Sequence, residues 1–321
     1  MPKLKVIYDT DPGVDDAMAL LLLVRHPDVE LLAVTTVFGN ATIETTTRNA
    51  LFLKQAFGFA APVARGAAGP VVGAASVPPN FVHGDNGLGN IPLPEITATA
   101  DPRSASQLIR ELVRAHPGEI TIIAVGRMTN LALALRLDPG IAKLVKAVSV
   151  MGGAFGRNGH FGNVTPVAEA NIIGDPVAAD IVFGANWPMT IIGLDVTLES
   201  VMSDAYIADL ARDAGQDGAF LHEVSRFYAN FYTASKQTSD GFPVHDSSAV
   251  AAALHPDMFT YVRGAVRVVP DGIARGQTIV RPEGYYDRAS EFDGRPSCNV
   301  AVGVDAPRFL KFYRDTIVGA R

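Results

Sequence analysis

The chain has 321 residues, of which 48% are hydrophobic, so it can build a sizeable core and is not a disordered protein. Its net charge is −6 with no basic block, which excludes a typical nucleic-acid surface. The single cysteine, Cys298, excludes an internal disulfide and favours a reducing compartment. We expect a cytoplasmic protein without a signal peptide or membrane contact, because a strand follows Met1 directly and the longest apolar runs are short.

The first predicted strand, Leu4–Tyr8, leads into an acidic segment, 9–16, with the sequence DTDPGVDD. Pro12 and Gly13 favour a tight turn, and the apolar helix formers of Ala17–Val24 predict a helix after it. The segment places four carboxylates at a strand end and a helix start, and they would repel one another without a cation. They are Asp9, Asp11, Asp15 and Asp16. Because oxygen-only ligands favour Ca²⁺ or Mg²⁺, we predict a divalent-metal site on this turn.

Two other interpretations of the acidic segment stay open at this point. Aspartates are ordinary helix caps and turn residues, so two of the four would need no function. An Asp-x-Asp pair after a first strand also occurs in haloacid-dehalogenase-type phosphatases, although the Pro-Gly pair and the second pair of aspartates do not suit that pattern.

Strands and helices then alternate along the chain, which predicts an α/β fold with an open, mostly parallel sheet flanked by helices. The predicted strands are Val29–Phe38, Glu119–Val125, Ala147–Met151 and Met189–Leu194, with further β character at Tyr261–Val269, Gly276–Val280 and Asn299–Val304. The predicted helices are Ala41–Phe57, Ser104–Ala115, Leu131–Arg136 capped by Thr129 and Asn130, Asp175–Phe183, Met202–Ala234 broken near Gly215 and Gly218, Ala249–Leu254 and Asp305–Ile317. No linker or repeat is evident, so we expect one domain over 1–321.

Polar residues follow several of these strands, at the edge where α/β sheets bind ligands. Asn40 follows the second strand, and the long loop 67–94 contains His83 in the sequence HGDNGLG. The segment 163–171 reads NVTPVAEAN and carries amides and a carboxylate that suit hydroxyl ligands. Ordinary loop or capping roles would explain these residues equally well.

Two features near the last predicted helices complete the candidate site. His245 and Asp246 stand before an apolar helix, where a capping role alone would explain the aspartate. Tyr228 and Tyr232 lie at helical spacing, which is more typical of core packing than of ligand stacking. The polar stretch 236–241 is a candidate lid.

Together these motifs resemble the nucleoside hydrolase family of the inosine–uridine-preferring type. DTDPGVDD, Asn40, HGDNGLG, MGG at 151–153, NVTPVAEAN and HD at 245–246 occur in the family's order and span nearly the whole chain. The resemblance implies the nucleoside hydrolase fold, with its Rossmann-like sheet, and calcium-dependent cleavage of the N-glycosidic bond between ribose and nucleobase. It also implies a nucleoside substrate and a homodimer or homotetramer.

The resemblance further implies a role for each matching residue. The Ca²⁺ ligands would be the carboxylates of Asp11, Asp16 and Asp246 and the main-chain carbonyl of Val125. Asp11 would also be the general base for a metal-bound water, and His245 would give a proton to the departing base. The ribose would be held by Asp15, Asn40, Asn163, Glu169 and Asn171, with Met151 as an apolar contact beneath the sugar.

Glycosidic cleavage requires the same residue types independently of the family. Its transition state is an electron-poor, oxocarbenium-like ribose, which carboxylates and amide oxygens stabilise. A cation lowers the pKa of a bound water, and a nearby carboxylate takes its proton. A nucleobase leaves poorly as an anion, so an acid beside it helps.

Two departures from the family pattern bear on this prediction. Arg127 and Met128 stand where the family more often has Pro-Leu, beside the metal carbonyl, and we expect them to alter that loop. The only tryptophan, Trp187, is predicted to be core, so stacking of a purine between tryptophans is not expected. His83, Tyr228 and Tyr232 would line the base pocket instead, which favours a broad or pyrimidine-tolerant specificity.

Two rival functions also fit the sugar-binding residues. One is a hydrolase of another N-riboside, which the sequence does not distinguish. The other is a non-catalytic nucleoside or ribose binder, which has no need for both Asp11 and His245.

Overall fold

The computed structural model describes residues 2–286, 288 and 290–319. Its strands are β1 (Leu4–Thr10), β2 (Val29–Thr36), β3 (Val63–Arg65), β4 (Ile120–Ala124), β5 (Ala147–Met151), β6 (Met189–Ile192), β7 (Val201–Met202), β8 (Phe242–Pro243), β9 (Phe259–Val268), β10 (Thr278–Pro282) and β11 (Ser297–Val304).

The helices alternate with these strands for most of the chain. They are α1 (Val14–Arg25), α2 (Ile43–Phe57), α3 (Asn80–His83), α4 (Ala105–Ala115), α5 (Thr129–Leu137), α6 (Ala170–Gly174), α7 (Pro176–Phe183), α8 (Leu194–Thr197), α9 (Asp204–Asp213), α10 (Gly215–Ala234), α11 (Asp246–Leu254) and α12 (Ala306–Gly319). Short 3₁₀ turns lie at Pro139–Lys143, Pro256–Met258 and Ser290–Phe292. In the described part of the chain, every helix is too short or too polar to cross a bilayer.

The central sheet has nine strands within the described residues, in the order β10-β9-β11-β6-β5-β4-β1-β2-β3. In this order, every neighbouring pair between β11 and β3 is parallel. The strand β9 is antiparallel to both of its neighbours, β10 and β11. Helices cover both faces, so the central strands are largely buried on both sides and are rich in apolar residues. The prediction of an α/β fold with a mostly parallel sheet is confirmed.

The first helix, α1, is the centre of the larger hydrophobic core. Ten of its residues, from Val14 to Leu23, are buried, including the carboxylates of Asp15 and Asp16. It packs against α10, α11 and α12 on one face of the sheet. Because α1 and α11 both begin at the carboxyl edge of the sheet, their first turns bring Asp15 and Asp16 close to Asp246.

The predicted cap of α5 was wrong. The helix begins at Thr129, and none of the described side chains caps it. Instead, the hydroxyl of Thr129 donates to Asp175, and the amide of Asn130 donates to Asp9 and to the carbonyl of Thr36. Both side chains therefore donate to buried acceptors on neighbouring elements of the fold and help to satisfy the hydrogen-bonding capacity of these acceptors.

Smaller differences concern short elements, several of which were not predicted, and one helix boundary. The strand β3 was not predicted, because three residues carry too little periodicity. The short helix α3 lies inside the predicted loop 67–94. The break in the long helical region falls at Ala214, whereas Gly218 lies inside α10.

Candidate active site

The predicted site residues meet in one pocket of about 430 Å³ at the carboxyl edge of the sheet. The loops after β1, β2, β4 and β5 converge there with the first turns of α1 and α11, as expected for ligand sites in α/β folds. The lining includes Asp15, Asn40, His83, Val125, Met151, Asn163, Glu169, Asn171, Tyr228, Tyr232, His245 and Asp246. Asp11 and Asp16 are buried behind this lining, where both hydrogen-bond to Asn40.

Three carboxylates form a cluster that is able to hold a metal ion. One oxygen each of Asp15, Asp16 and Asp246 lies within 4.8 Å of the others, and all three residues are buried. Asp246 makes no side-chain hydrogen bond that we find among the described residues, and Oδ1 of Asp15 has none either. Buried oxygens without donors suit a hard cation, so the residues present fit Ca²⁺ or Mg²⁺.

Asp16 is the most firmly held member of this cluster. Its Oδ1 accepts from the Thr10 hydroxyl at 2.5 Å and from the main-chain N–H of Asp11 at 3.2 Å. Its Oδ2 accepts from the main-chain N–H of Gly13 at 2.9 Å and from the amide of Asn40 at 2.8 Å. Three of these four donors belong to the DTDPGVDD turn, which therefore folds around this carboxylate.

Asp11 lies at the back of the site and is not a member of the close cluster. Its Oδ2 accepts from the guanidinium of Arg127 at 2.5 Å and from the N–H of Asn40 at 2.7 Å. Its Oδ1 is buried, and no residue in the described part of the chain donates a hydrogen bond to it. The carbonyl of Val125, the other predicted ligand behind the pocket, accepts from the amide of Asn171 at 2.7 Å.

The electrostatics of the cluster favour an added positive charge. Burial raises the pKa of Asp15 to about 7, with the charge of Asp16 as the second cause. Burial and the neighbouring carboxylates also raise the pKa of Asp11 and of Asp246 well above the usual value. Carboxyls with raised pKa values must take up protons or a cation, so the site is poised to bind either.

A continuous hydrogen-bond chain runs from the acidic cluster to His245. The Tyr228 hydroxyl donates to Asp15 at 3.2 Å and lies 3.4 Å from the Tyr232 hydroxyl. Tyr232 lies 2.8 Å from Nε2 of His245, and Thr197 lies 2.8 Å from Nδ1. Because an ionised carboxylate only accepts, the chain is satisfied when Nε2 carries the ring proton and Nδ1 accepts from Thr197.

His83 forms one wall of the pocket. Its Nδ1 accepts from the N–H of Val14 at 3.2 Å, so Nε2 carries the proton of the neutral ring. Burial lowers the pKa of His83 to about 3. The ring centres of His83 and Tyr228 lie 5.3 Å apart, so the two rings form one aromatic surface of the pocket.

The residues of the NVTPVAEAN segment are held partly by capping bonds. Glu169 caps the short helix α6 and also accepts from the N–H of Gly153 at 3.0 Å. Asn163 is exposed at the pocket mouth and accepts from the N–H of Ala170 at 3.0 Å. Capping and pocket lining therefore coexist in these residues. Gln237, from the predicted lid, also lines the pocket, and movement of that segment stays a prediction.

Two residues of the site were not identified from the sequence in their present roles. Thr197 was not singled out, because a threonine in an apolar segment carries no pattern that indicates a histidine partner. Arg127 was expected only to alter its loop, and its ion pair with Asp11 depends on tertiary structure. Trp187 is buried and donates to the carbonyl of Val182, as a core residue would.

Comparison with known proteins agrees with this geometry. The sequence model of the inosine-uridine preferring nucleoside hydrolase family matches residues 6–311 of the chain. The chain belongs to this family. As a nucleoside hydrolase, it is an enzyme that cleaves N-glycosidic bonds, and the resemblance inferred from its motifs is confirmed.

Similar proteins cover nearly the whole of this nucleoside hydrolase. Uridine nucleosidase 1 of Arabidopsis thaliana is 39% identical over 97% of this chain and 92% of its own. The inosine-uridine preferring nucleoside hydrolase of Crithidia fasciculata is 38% identical over 99% of this chain and 98% of its own. The solved structure of a plant nucleoside hydrolase, the PpNRh1 enzyme, has a TM-score of 0.93 at 37% identity and covers 99% of both chains.

Proposed function

We propose that this enzyme hydrolyses ribonucleosides to ribose and free nucleobase with the help of Ca²⁺, and that it accepts uridine. The observation that carries the proposal is the placement of a buried acidic cluster and a histidine in one pocket of about 430 Å³. The carboxylates stand at one end of a hydrogen-bond chain and His245 at the other. Hydrolysis of a nucleoside needs water activation at the sugar and proton donation at the base, which these two ends would supply.

Asp11, Asp16, Asp246 and the carbonyl of Val125 are the residues that we propose to hold the cation. Asp16 and Asp246 belong to the close acidic cluster, and we find no hydrogen-bond donor to the Asp246 carboxylate among the described residues, which supports this assignment. Bound there, the ion supplies positive charge for the ribose hydroxyls and lowers the pKa of a water. Asp15 stands close enough to Asp16 and Asp246 to share this environment.

Asp11 is the proposed general base. Its Oδ2 is occupied by Arg127 and by the N–H of Asn40, whereas Oδ1 has no donor among the described residues and would accept a proton from water. Burial raises the pKa of this carboxyl, which makes it a better proton acceptor than an exposed aspartate.

The opposite end of the pocket would assist departure of the base. His245 is the proposed proton donor, and its ring is neutral because burial lowers its pKa to about 4. A neutral ring that gives up one proton must regain another. When Nε2 gives its proton to the departing base, the Tyr232 hydroxyl, 2.8 Å away, would return one to the ring, and Tyr232 would be reprotonated through Tyr228 by Asp15 in its protonated form.

The sugar would lie between these two ends. Asn40, Asn163, Glu169 and Asn171 supply amide and carboxylate oxygens around the pocket, and Met151 supplies an apolar surface. Oxygens in this arrangement stabilise positive charge on an oxocarbenium-like ribose, and fixed hydroxyls hold the anomeric carbon near the attacking water.

The base pocket supports a broad specificity that includes pyrimidines. Its wall contains Tyr228, Tyr232 and His83 and no tryptophan, since Trp187 is buried elsewhere in the core. Phe81 and Phe231 extend this aromatic surface towards the mouth. The names of two similar proteins, a uridine nucleosidase and an inosine-uridine preferring hydrolase, agree with this proposal.

Release of free ribose from uridine and inosine, with and without EDTA, tests the proposal. We expect ribose from uridine, loss of activity in EDTA and recovery on addition of Ca²⁺. Tight nucleoside binding without ribose release would instead indicate a binding protein. A panel of purine, pyrimidine and other N-ribosides then ranks the substrates by kcat/KM. Gel filtration with light scattering tests the proposed homodimer or homotetramer.

A further inference from the structure

Arg127 is a buried arginine that contacts the proposed base directly. It follows β4 in the loop GRMTN, and only 4% of the residue is exposed. Its Nη1 donates to Oδ2 of Asp11 at 2.5 Å and to Oδ1 of Asn171 at 3.2 Å. Its Nε has no acceptor among the described residues. Among the described residues, Asp11 is the one carboxylate that forms an ion pair with this guanidinium.

Two glycines make the space that this side chain occupies. A Cβ at Gly39 would overlap both Oδ2 of Asp11 and Nη1 of Arg127, so this glycine leaves room for the two partners of the ion pair. A Cβ at Gly174 would lie 2.7 Å from Nε and 2.8 Å from Cγ. The surrounding chain is fitted to an arginine at this position, so the ion pair is a built feature of the site.

This ion pair engages two of the four proposed metal ligands. Oδ2 of Asp11 faces the guanidinium, and Asp11 lies outside the close group of Asp15, Asp16 and Asp246. Arg127 also holds the oxygen of the Asn171 amide, which turns the nitrogen of that amide onto the carbonyl of Val125 at 2.7 Å. The arginine thus fixes Asp11 directly and Val125 through Asn171.

We propose that Arg127 is a resident counter-cation of the acidic site, which replaces the divalent ion in the metal-free enzyme and competes with it for Asp11. The proposal rests on the metal site of the proposed function. A buried carboxylate without a partner is strongly destabilising, so a fixed guanidinium keeps the metal-free site folded. The same guanidinium opposes a second cation by charge repulsion and by its hold on Oδ2.

Calcium affinity of protein stripped with EDTA, measured by isothermal titration calorimetry, tests this competition. Arg127→Leu removes the competing charge, and we expect it to bind Ca²⁺ at least about tenfold more tightly than the wild type. In EDTA, the same variant should melt at a lower temperature than the wild type, and saturating Ca²⁺ should raise its Tm by more. A merely structural arginine would lower Tm without tightening calcium binding.

Two further variants keep the test decisive if Arg127→Leu does not fold. Arg127→Gln keeps a hydrogen-bond donor beside Asp11 but removes the charge, and Gly174→Ala crowds the guanidinium while leaving its charge in the protein. Both should tighten calcium binding. Arg275→Leu is the matched control, because Arg275 lines the same pocket and has no side-chain partner that we find among the described residues. Any gain in that variant measures long-range charge alone.

Equal calcium affinity in the wild type and in every Arg127 and Gly174 variant would overturn the proposal. Detection of calcium binding only after removal of the arginine would support it in its strongest form. Absence of calcium binding from all of them would refute it, and ribose release by the wild type in EDTA would then show separately whether hydrolysis needs an ion. Failure of the inference therefore leaves a different signature from failure of the proposed function.

Discussion

The Tyr232 hydroxyl lies 2.8 Å from Nε2 of His245 inside the pocket, where both residues are buried. The other ring nitrogen lies 2.8 Å from the Thr197 hydroxyl, so both nitrogens of the imidazole are engaged. An unperturbed histidine titrates near pH 6.5. Burial instead lowers the pKa of His245 to about 4, so the ring is uncharged at pH 7. An acid role therefore depends on the hydrogen-bond chain and not on an imidazolium.

Replacement of His245 by alanine should slow natural nucleosides far more than p-nitrophenyl riboside. The nitrophenolate leaves without a proton, whereas a nucleobase does not, so only the natural substrates lose the acid. We expect kcat for uridine to fall by about 100-fold or more. Steady-state kinetics with both substrates check this result, and equal slowing of the two would remove His245 from the acid role.

Tyr232→Phe tests whether the neutral ring needs its hydroxyl partner. The change removes one oxygen and leaves Nε2 of His245 without its partner, so we expect kcat for uridine to fall by about tenfold while p-nitrophenyl riboside is unaffected. Tyr206→Phe is the control, because this tyrosine donates to the carbonyl of Leu310, away from the pocket. It should lose stability of about 1 kcal/mol at constant kcat. Unchanged uridine turnover in Tyr232→Phe would show that the chain is only structural.

The sequence alone predicts where a motif lies when the motif belongs to one local element. It does not predict which side chains pair with one another when the partners come from distant segments. The DTDPGVDD turn and the HD pair each lie at a helix start, so their convergence at one sheet edge follows from the α/β topology. The partners of those residues come from remote segments: Thr197 from α8 and Arg127 from the loop after β4. Asn130 was assigned to a helix cap for the same reason, since only the packed sheet shows that Asp9 needs its amide.

Asp9 and Asp11 provide a matched pair of substitutions in one motif. Asp11→Asn should lower kcat by about 100-fold or more, because an amide neither accepts the proton of water nor neutralises a cation. Oδ1 of Asp9 accepts from Thr35 and Asn130 at 2.5 Å and 2.8 Å and takes no part in the pocket lining. Asp9→Asn should keep kcat within a few-fold and lower the free energy of unfolding by about 1–3 kcal/mol, since one buried N–H₂ gains no acceptor. Urea unfolding and uridine kinetics check both, and near-normal turnover in Asp11→Asn would contradict its role as base.

Gly218→Ala should destabilise the protein although alanine favours helices. Gly218 lies inside α10, and a Cβ there would lie 1.9 Å from the carbonyl oxygen of Leu210 in α9. The two helices would have to separate, which we expect to cost about 1–3 kcal/mol. Gly319→Ala, near the end of α12 with open space around the new Cβ, should be neutral or stabilising. Equal melting temperatures of the two variants would show that α9 and α10 do not pack this closely.

The stabilisation that Ca²⁺ gives should shrink as the pH falls through about 7. Burial raises the pKa of Asp15 to about 7 in the metal-free site, whereas an unfolded aspartate titrates near 3.9. Between these values the metal-free folded state binds more protons than the unfolded chain, so its stability falls as the pH rises. Ca²⁺ takes the place of those protons and offsets this loss, so the Tm difference between calcium and EDTA should be largest near pH 8 and small near pH 5.5. The buried histidines His83 and His245 act in the opposite direction, because their lowered pKa values make the folded protein less stable as the pH falls below about 6.5. This effect is present with calcium and with EDTA, so it cancels in the Tm difference. A Tm difference that is constant over this range would mean that the ion does not compete with protons for these carboxylates.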